Sequence, residues 1–118
     1  MPLLTPRTFP GAVPGLLLPL LLSLIPSAQA AAGVAALADR YYAFRLQTRP
    51  EIAYFAGVAS ERHDGLWDNS PAAIAAEQAV EDELLRELAT IDRAALAGSA
   101  DWVTLGFLQH ALTSAREL

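Results

Sequence analysis

The sequence has 118 residues, of which 53% are hydrophobic, so it encodes at most one small domain. It contains no cysteine, which excludes disulfides, thiolate chemistry, cysteine-based zinc sites and a lipid-modified N-terminal cysteine. Its net charge is −5 and all of its positive charge comes from arginine, so it would repel nucleic acid and anionic bilayers rather than bind them.

The N-terminal 30 residues have the pattern of a secretory signal peptide. Arg7 is the only charge before Asp39, and an apolar run at 16–25 is followed by Pro26 and by small residues that end at Ala30. We therefore expect cleavage after Ala30 and export of residues 31–118 to a periplasmic or extracellular location. An uncleaved membrane anchor is the less favoured alternative, because a bilayer span needs about 20 apolar residues and two prolines interrupt this run. We expect no membrane span after cleavage.

Residues 31–118 are predicted to form a series of helices, and the first helix covers residues 33–48. Its apolar residues recur at spacings of three and four, and Arg49-Pro50 ends it because a residue before proline is pushed out of the helical region. Pro50 then begins a second helix, 51–59. The stripe of the first helix comprises Val34, Leu37, Tyr41 and Phe44, and the second carries Ile52, Tyr54, Phe55 and Val58. We expect the aromatic residues at 41, 42, 44, 54 and 55 to lie in the core.

A third helix is predicted over residues 71–90, where Ser70 supplies an N-cap and Pro71 suits the first helical position. Its predicted buried stripe comprises Ala73, Ala76, Val80, Leu84, Leu88 and Ile91. Its predicted solvated face comprises Glu77, Glu81, Asp82, Glu83, Arg86 and Glu87, with Asp82 placed to pair with Arg86 one turn later.

A turn or short helix at 92–97, ended by Gly98, is predicted to lead into a last helix that Ser99 caps and that carries Asp101 in its first turn. This helix is apolar on two sides, which is typical of a helix buried between several neighbours, although about four helices offer it few. One side carries Trp102, Leu105, Leu108 and Leu112, and the other carries Val103, Phe107 and Ala111. The fold class is therefore all-α with four to five helices.

The last helix reaches Leu118 without a glycine, asparagine or proline to end it. So few helices also have more apolar surface than they can cover, so we expect Trp102, Phe107 and Leu108 to lack full packing partners and the isolated chain to be marginally stable or to self-associate. On these grounds residues 31–118 are interpreted as the helical N-terminal region of a larger protein whose C-terminal part would be the natural partner.

No catalytic, cofactor-binding or metal-binding residue is predicted. The two histidines, His63 and His110, are far apart and have no zinc-ligand spacing. We expect His110 to be a core or boundary residue, His63-Asp64 to be a turn, and the acidic run 81–83 to be solvated rather than a calcium site. No serine has a nucleophile context.

The stretch 62–74, RHDGLWDNSPAAI, is predicted to form a corner between helices. Asp64-Gly65 supplies a tight turn, Trp67 covers the helix ends, and Asn69-Ser70-Pro71 begins the next helix.

Five segments occur in an order that resembles the opening of the bacterial domain of unknown function 885 family. They are LADRYY at 37–42, RPE at 49–51, Gly57, HDGLWDNS at 63–70 and IDRAAL at 91–96. His63, Asp64, Asp68 and Ser70 match a corner motif of that family, whereas the spacer at 59–62 departs from its pattern.

The resemblance implies large, mostly helical, often exported proteins, several times longer than this chain and similar to zinc metallopeptidases. It places their His-Glu and Gly-His zinc segment far downstream, so zinc is expected only in a full-length relative. The sequence therefore predicts an N-terminal helical fragment of an exported, metallopeptidase-like protein, without activity on its own. The alternative is a small secreted helical module that binds a protein partner through an exposed apolar helix face.

Overall fold

A computed structural model describes residues 17–59 and 65–117, and most of these residues are helical, with no strand among them. The four α-helices are α1 (Leu17–Thr48), α2 (Pro50–Ala56), α3 (Pro71–Leu88) and α4 (Ala100–Arg116), and a single 3-10 turn, Ala94–Leu96, precedes α4. The predicted all-α class is confirmed.

Helix α1 begins much earlier than predicted, because it continues through Pro26 instead of starting near Gly33. The predicted start of this helix at residue 33 is therefore wrong. A proline inside a helix removes one backbone hydrogen bond and costs about 3 kcal/mol, but the flanking residues are mostly alanine and leucine, which favour helix. Further along the same helix, Ala30 and Val34 are buried in the core. The predicted cleavage position after Ala30 thus lies within a continuous helix.

Within the described part of the chain, no helix has the length and apolar content to cross a bilayer.

The junction between α1 and α2 lies where the sequence predicts it. Helix α1 ends at Thr48, and Pro50 occupies the first turn of α2. Helix α2 ends at Ala56, three residues earlier than predicted, because Gly57 adopts a left-handed conformation with φ 64° and Val58 N donates a 3.0 Å hydrogen bond to Ala53 O.

Helix α3 begins at the predicted residue. Ser70 Oγ accepts a hydrogen bond of 3.3 Å from Ala73 N, and Asp68 Oδ1 accepts one of 2.9 Å from Ser70 N. Two side chains thus stabilise the start of the helix, one capping its first turn and one holding the residue before it. The helix ends at Leu88, slightly before the predicted Thr90.

The core lies where α1, α3 and α4 pack together, with the 3-10 turn against α1. Full burial of a leucine contributes about 1.5–3 kcal/mol, so these side chains supply most of the stability. The buried set comprises Ala30, Val34 and Leu37 from α1, Leu84 and Leu88 from α3, Leu96 from the turn, and Leu105, Leu108 and Leu112 from α4.

The buried face of α3 differs from the prediction in its first half. Leu84 and Leu88 are buried as expected, but Ala76 and Val80 are exposed, whereas Glu77 and Glu81 are buried. Residues 77, 81, 84 and 88 recur at spacings of four, three and four, so they form one helical stripe. The prediction of a solvated face for the two glutamates is therefore wrong.

Only one side of α4 is covered. Leu105, Leu108 and Leu112 pack on α1 and α3, whereas Trp102, Val103 and Phe107 are exposed. The expectation that this helix lacks full packing partners is confirmed for Trp102 and Phe107, because the described helices supply neighbours on one side only, but it is wrong for Leu108, which is buried. His110 is also exposed rather than a core or boundary residue.

The aromatic residues of α1 and α2 divide between the core and the surface. Tyr41 and Phe44 are half-buried, but Tyr42, Tyr54 and Phe55 are exposed, so the prediction that all five are core residues is wrong for three of them. The helical spacing of these residues was predicted correctly, but among the described helices α2 packs mainly on α1, which leaves Tyr54 and Phe55 exposed.

Candidate functional site

A polar cluster joins the loop before α3 to the buried face of that helix. The indole Nε1 of Trp67 donates a 2.7 Å hydrogen bond to Oε1 of Glu77, which lies two turns inside α3. Trp67 is half-buried and Glu77 is only 9% exposed. A buried carboxylate needs such a donor, because a desolvated charge without a partner is strongly unfavourable.

Arg49, at the junction of α1 and α2, completes this arrangement. Its guanidinium carbon lies 3.6 Å from the centroid of the Trp67 ring, and its Nη2 lies 3.4 Å from Oε2 of Glu77. Arginine stacked on an indole face gains cation–π attraction, and that attraction is stronger where water is excluded. Both carboxylate oxygens of Glu77 are therefore engaged, and we refer to these three residues as the Arg49–Trp67–Glu77 cluster.

Glu81 lies one turn beyond Glu77 and is only 4% exposed. Among residues 17–59 and 65–117 it makes no hydrogen bond and no ion pair within 4.0 Å. Burial raises the pKa of its carboxyl above 4.5, and the negative charge of Glu77 raises it further. The positive charges that act in the opposite direction belong to Arg45, Arg116 and Arg49.

An open cleft of about 430 Å³ lies beside these two glutamates. Its walls come from the C-terminal end of α1, the first half of α3, the loop before α3 and the C-terminal end of α4. The lining residues are Arg45, Arg49, Trp67, Ile74, Glu77, Gln78, Glu81 and Ala115. A volume of roughly 300–1,000 Å³ is typical of small-molecule sites, so the cleft is at the lower end of that range.

The cleft combines charge of both signs with an aromatic wall. Glu77 contacts Trp67 and Arg49, whereas Glu81 has no hydrogen-bond donor among the described residues, so the two carboxylates have different environments. Within the described ranges no group of three or more histidine, cysteine, aspartate or glutamate side chains is arranged to hold a metal ion. The arrangement suits non-covalent binding of a polar ligand.

Among the described residues singled out in the corner 62–74, Trp67 lines the cleft, whereas Asp68 and Ser70 do not. His63 and Asp64 fall outside the described residues. Asp68 and Ser70 stabilise the start of α3, and Trp67 makes polar contacts as well as covering the helix ends. The exposed His110 is not part of the cleft lining.

Sequence reasoning missed Glu77 and Glu81 as buried residues. The available signal was their spacing, because they continue the stripe of Leu84 and Leu88 toward the start of α3. The sequence prediction placed them on the solvated face because of their charge alone.

The predicted ion pair between Asp82 and Arg86 does not form. Arg116 Nη2 lies 3.1 Å from Oδ2 of Asp82 instead, and Arg86 Nε donates a hydrogen bond to the backbone carbonyl oxygen of Asp82.

The fold and the cleft together define an all-α helical module with a buried polar cluster between its helices. The chain matches no protein-family model, no curated protein and no solved structure.

Proposed function

We propose that the chain is a non-catalytic helical module of an exported protein that resembles the domain of unknown function 885 family. In this proposal a further segment of the same protein packs against its exposed apolar side chains. The observation that carries the proposal is the exposure of large apolar residues on two helices of an otherwise packed bundle.

The first exposed apolar surface is on α2. Tyr54 and Phe55 are 81% and 83% exposed, and their rings meet edge to face at a centroid distance of 5.6 Å. An aromatic pair of this kind gains from burial of a large area, which the described bundle does not provide. A covering segment would supply that burial.

The second exposed apolar surface is on α4. Val103 and Phe107 are 64% and 62% exposed and lie one turn apart on the side of α4 that faces away from the core. Apolar residues at this spacing form a stripe that another helix can cover. Relatives of the resembled family are several times longer, so the resemblance implies a segment that could do so.

Export is supported by the basic start, apolar run and small residues of the first 30 positions. Cleavage after Ala30 would remove one small side chain from the core. Val34 and Leu37, which belong to the same face of α1, would remain. The proposed processing is therefore compatible with the packing of the three helices.

The experiment that tests this proposal has two parts. Sequencing the coding region beyond codon 118 should reveal a continuation with the His-Glu and Gly-His segment, and that continuation, added as a separate polypeptide, should bind the chain. Binding should weaken in the paired variant Val103→Ser with Phe107→Ser and stay unchanged in Ala100→Ser, a control on an exposed position of the same helix.

A stop codon at this point, together with a monomeric protein that unfolds cooperatively, would contradict the proposal. The same result would favour a small secreted module that binds a separate protein, for which the Tyr54 and Phe55 pair is the natural contact.

A further inference from the structure

Glu81 is a buried acid that the packing of the bundle does not use. It is 4% exposed, lines the cleft and has no hydrogen-bond donor among the described residues. Its carboxylate oxygens are not fully enclosed, so the carboxyl group opens on the cleft, where a ligand can supply the hydrogen-bond donor that the described residues do not.

Glu77 does not serve the same purpose. Its two carboxylate oxygens already accept from Trp67 Nε1 and contact Arg49 Nη2, so it orients the walls of the cleft. The hydrogen-bond donor of an incoming ligand is therefore directed to Glu81.

The opposite charge is supplied by the end of α1. Arg45 lines the cleft together with Arg49, and its charge is the first of those that oppose the raised pKa of Glu81. Arg49 is committed to Glu77 and Trp67, which leaves Arg45 as the cation available to a ligand anion. The two glutamates and two arginines of the cleft sum to zero charge, so an ion of one sign would leave one of these groups without a partner.

We propose that this cleft binds a small zwitterion of the α-amino acid class, with its ammonium group on Glu81 and its carboxylate on Arg45. Trp67, Ile74 and Ala115 provide the apolar wall for a short aliphatic or aromatic side chain. Charge-assisted hydrogen bonds at both ends make the ligand selective for molecules that carry both groups. This inference is independent of the covering segment proposed above.

The test is titration of the full chain with leucine, followed by nuclear magnetic resonance of its backbone amides. Saturable shifts should occur in the loop 65–69 and the first half of α3, with a millimolar or tighter dissociation constant. 3-Methylbutylamine, which lacks the carboxylate, and 4-methylpentanoate, which lacks the ammonium group, should each bind at least about tenfold more weakly.

Two variants test the assigned contacts. Glu81→Gln and Arg45→Gln should each weaken leucine binding at least about tenfold, whereas Glu83→Gln and Arg86→Gln, exposed controls on α3, should leave it unchanged. Because Glu81→Gln removes an unfavourable buried charge, this variant should stay folded, and loss of binding cannot be ascribed to unfolding.

Absence of saturable shifts, or equal affinity for leucine and either single-charge analogue, would overturn the proposal. Unchanged affinity in Glu81→Gln would do the same. Each of these results leaves the exposed surfaces of α2 and α4, and the function proposed from them, unaffected.

Discussion

The hydrogen bond of 2.7 Å from Trp67 Nε1 to Glu77 Oε1 attaches the loop before α3 to the buried face of that helix. The same carboxylate lies 3.4 Å from Arg49, so a single side chain joins the loop, the end of α1 and α3. The Arg49–Trp67–Glu77 cluster therefore connects three separate segments of the chain and is not a local contact within one helix.

Trp67→Phe should lower the free energy of unfolding by about 1–3 kcal/mol, because the buried Glu77 carboxylate loses its donor while most of the ring remains. Trp102→Phe is the matched control, since Trp102 is 44% exposed and should change stability by less than about 0.5 kcal/mol. Urea denaturation followed by circular dichroism measures both. Equal losses in the two variants would show that the hydrogen bond is not a significant stabilising contact.

Glu81→Gln should change how stability depends on pH. The folded-state pKa of Glu81 is raised above 4.5 by burial and by Glu77, so the folded state holds this proton more tightly than the unfolded state. The stabilisation is fully present below pH 4.5 and is lost as the pH rises through the folded pKa. The groups that act on this carboxyl are Glu77, Arg45, Arg116 and Arg49.

Unfolding measured at a series of pH values checks this expectation. The variant should be the more stable protein at neutral pH, and its advantage should shrink toward pH 4.5. Glu83→Gln, on the exposed face of α3, should not show this pattern. A pH-independent difference between Glu81→Gln and the original chain would mean that the raised pKa of Glu81 does not affect folding.

Ser99→Ala should lower the free energy of unfolding by about 0.5–2 kcal/mol. Ser99 Oγ accepts from Trp102 N at 3.2 Å and donates to Leu96 O at 2.7 Å, so it links the start of α4 to the 3-10 turn. Ser114→Ala, later in the same helix, should change stability by less than about 0.5 kcal/mol. Thermal or urea unfolding distinguishes the two, and comparable effects would argue against the cap.

Two glycine-to-alanine substitutions should have opposite signs. Gly98 has φ 78°, a conformation that alanine adopts only with strain, so Gly98→Ala should destabilise the chain by about 1 kcal/mol. Gly33 lies inside α1, where a Cβ would meet Ile91 Cδ1 at an ordinary 3.6 Å, so Gly33→Ala should stabilise by up to about 1 kcal/mol. Urea midpoints that move in the same direction would contradict this reading of the two positions.

The exposed stripe on α4 should promote self-association of the purified chain. Replacing Val103 and Phe107 by serine should reduce the sedimentation coefficient at high concentration, because the apolar surface available to a second copy is removed. Ala100→Ser should have no such effect. A chain that stays monomeric over the whole concentration range before mutation would contradict the expectation.

Local signals in the sequence were sufficient to place several helix ends. Ser70 and Ser99 cap the predicted helices, and Gly57 and Gly98 adopt the positive φ values that helix ends and turns require. The leucine stripe of α4 was also predicted, as was the lack of packing partners for Trp102 and Phe107, whereas Leu108 was wrongly expected to lack them too. These features depend on residues within a few positions of one another, which is why sequence patterns report them.

The cleft could not be predicted from the sequence, because it depends on four separate parts of the chain. Arg49 and Trp67 hold Glu77 in the interior, although the charge of Glu77 favours exposure to solvent.

The passage of helix α1 through Pro26 also depends on tertiary packing. Residues on both sides of the predicted cleavage position pack in the core, and this packing outweighs the unfavourable free energy of a proline inside a helix.

The sequence by itself determined that the chain is helical, where α3 and α4 begin, and which leucines form the core of α4. Those features follow from capping chemistry and from the 3.6-residue period. Only the tertiary structure decided that Glu77 and Glu81 are buried while Tyr54 and Phe55 are exposed. Burial depends on which helix lies opposite a face, and that neighbour is distant in the sequence.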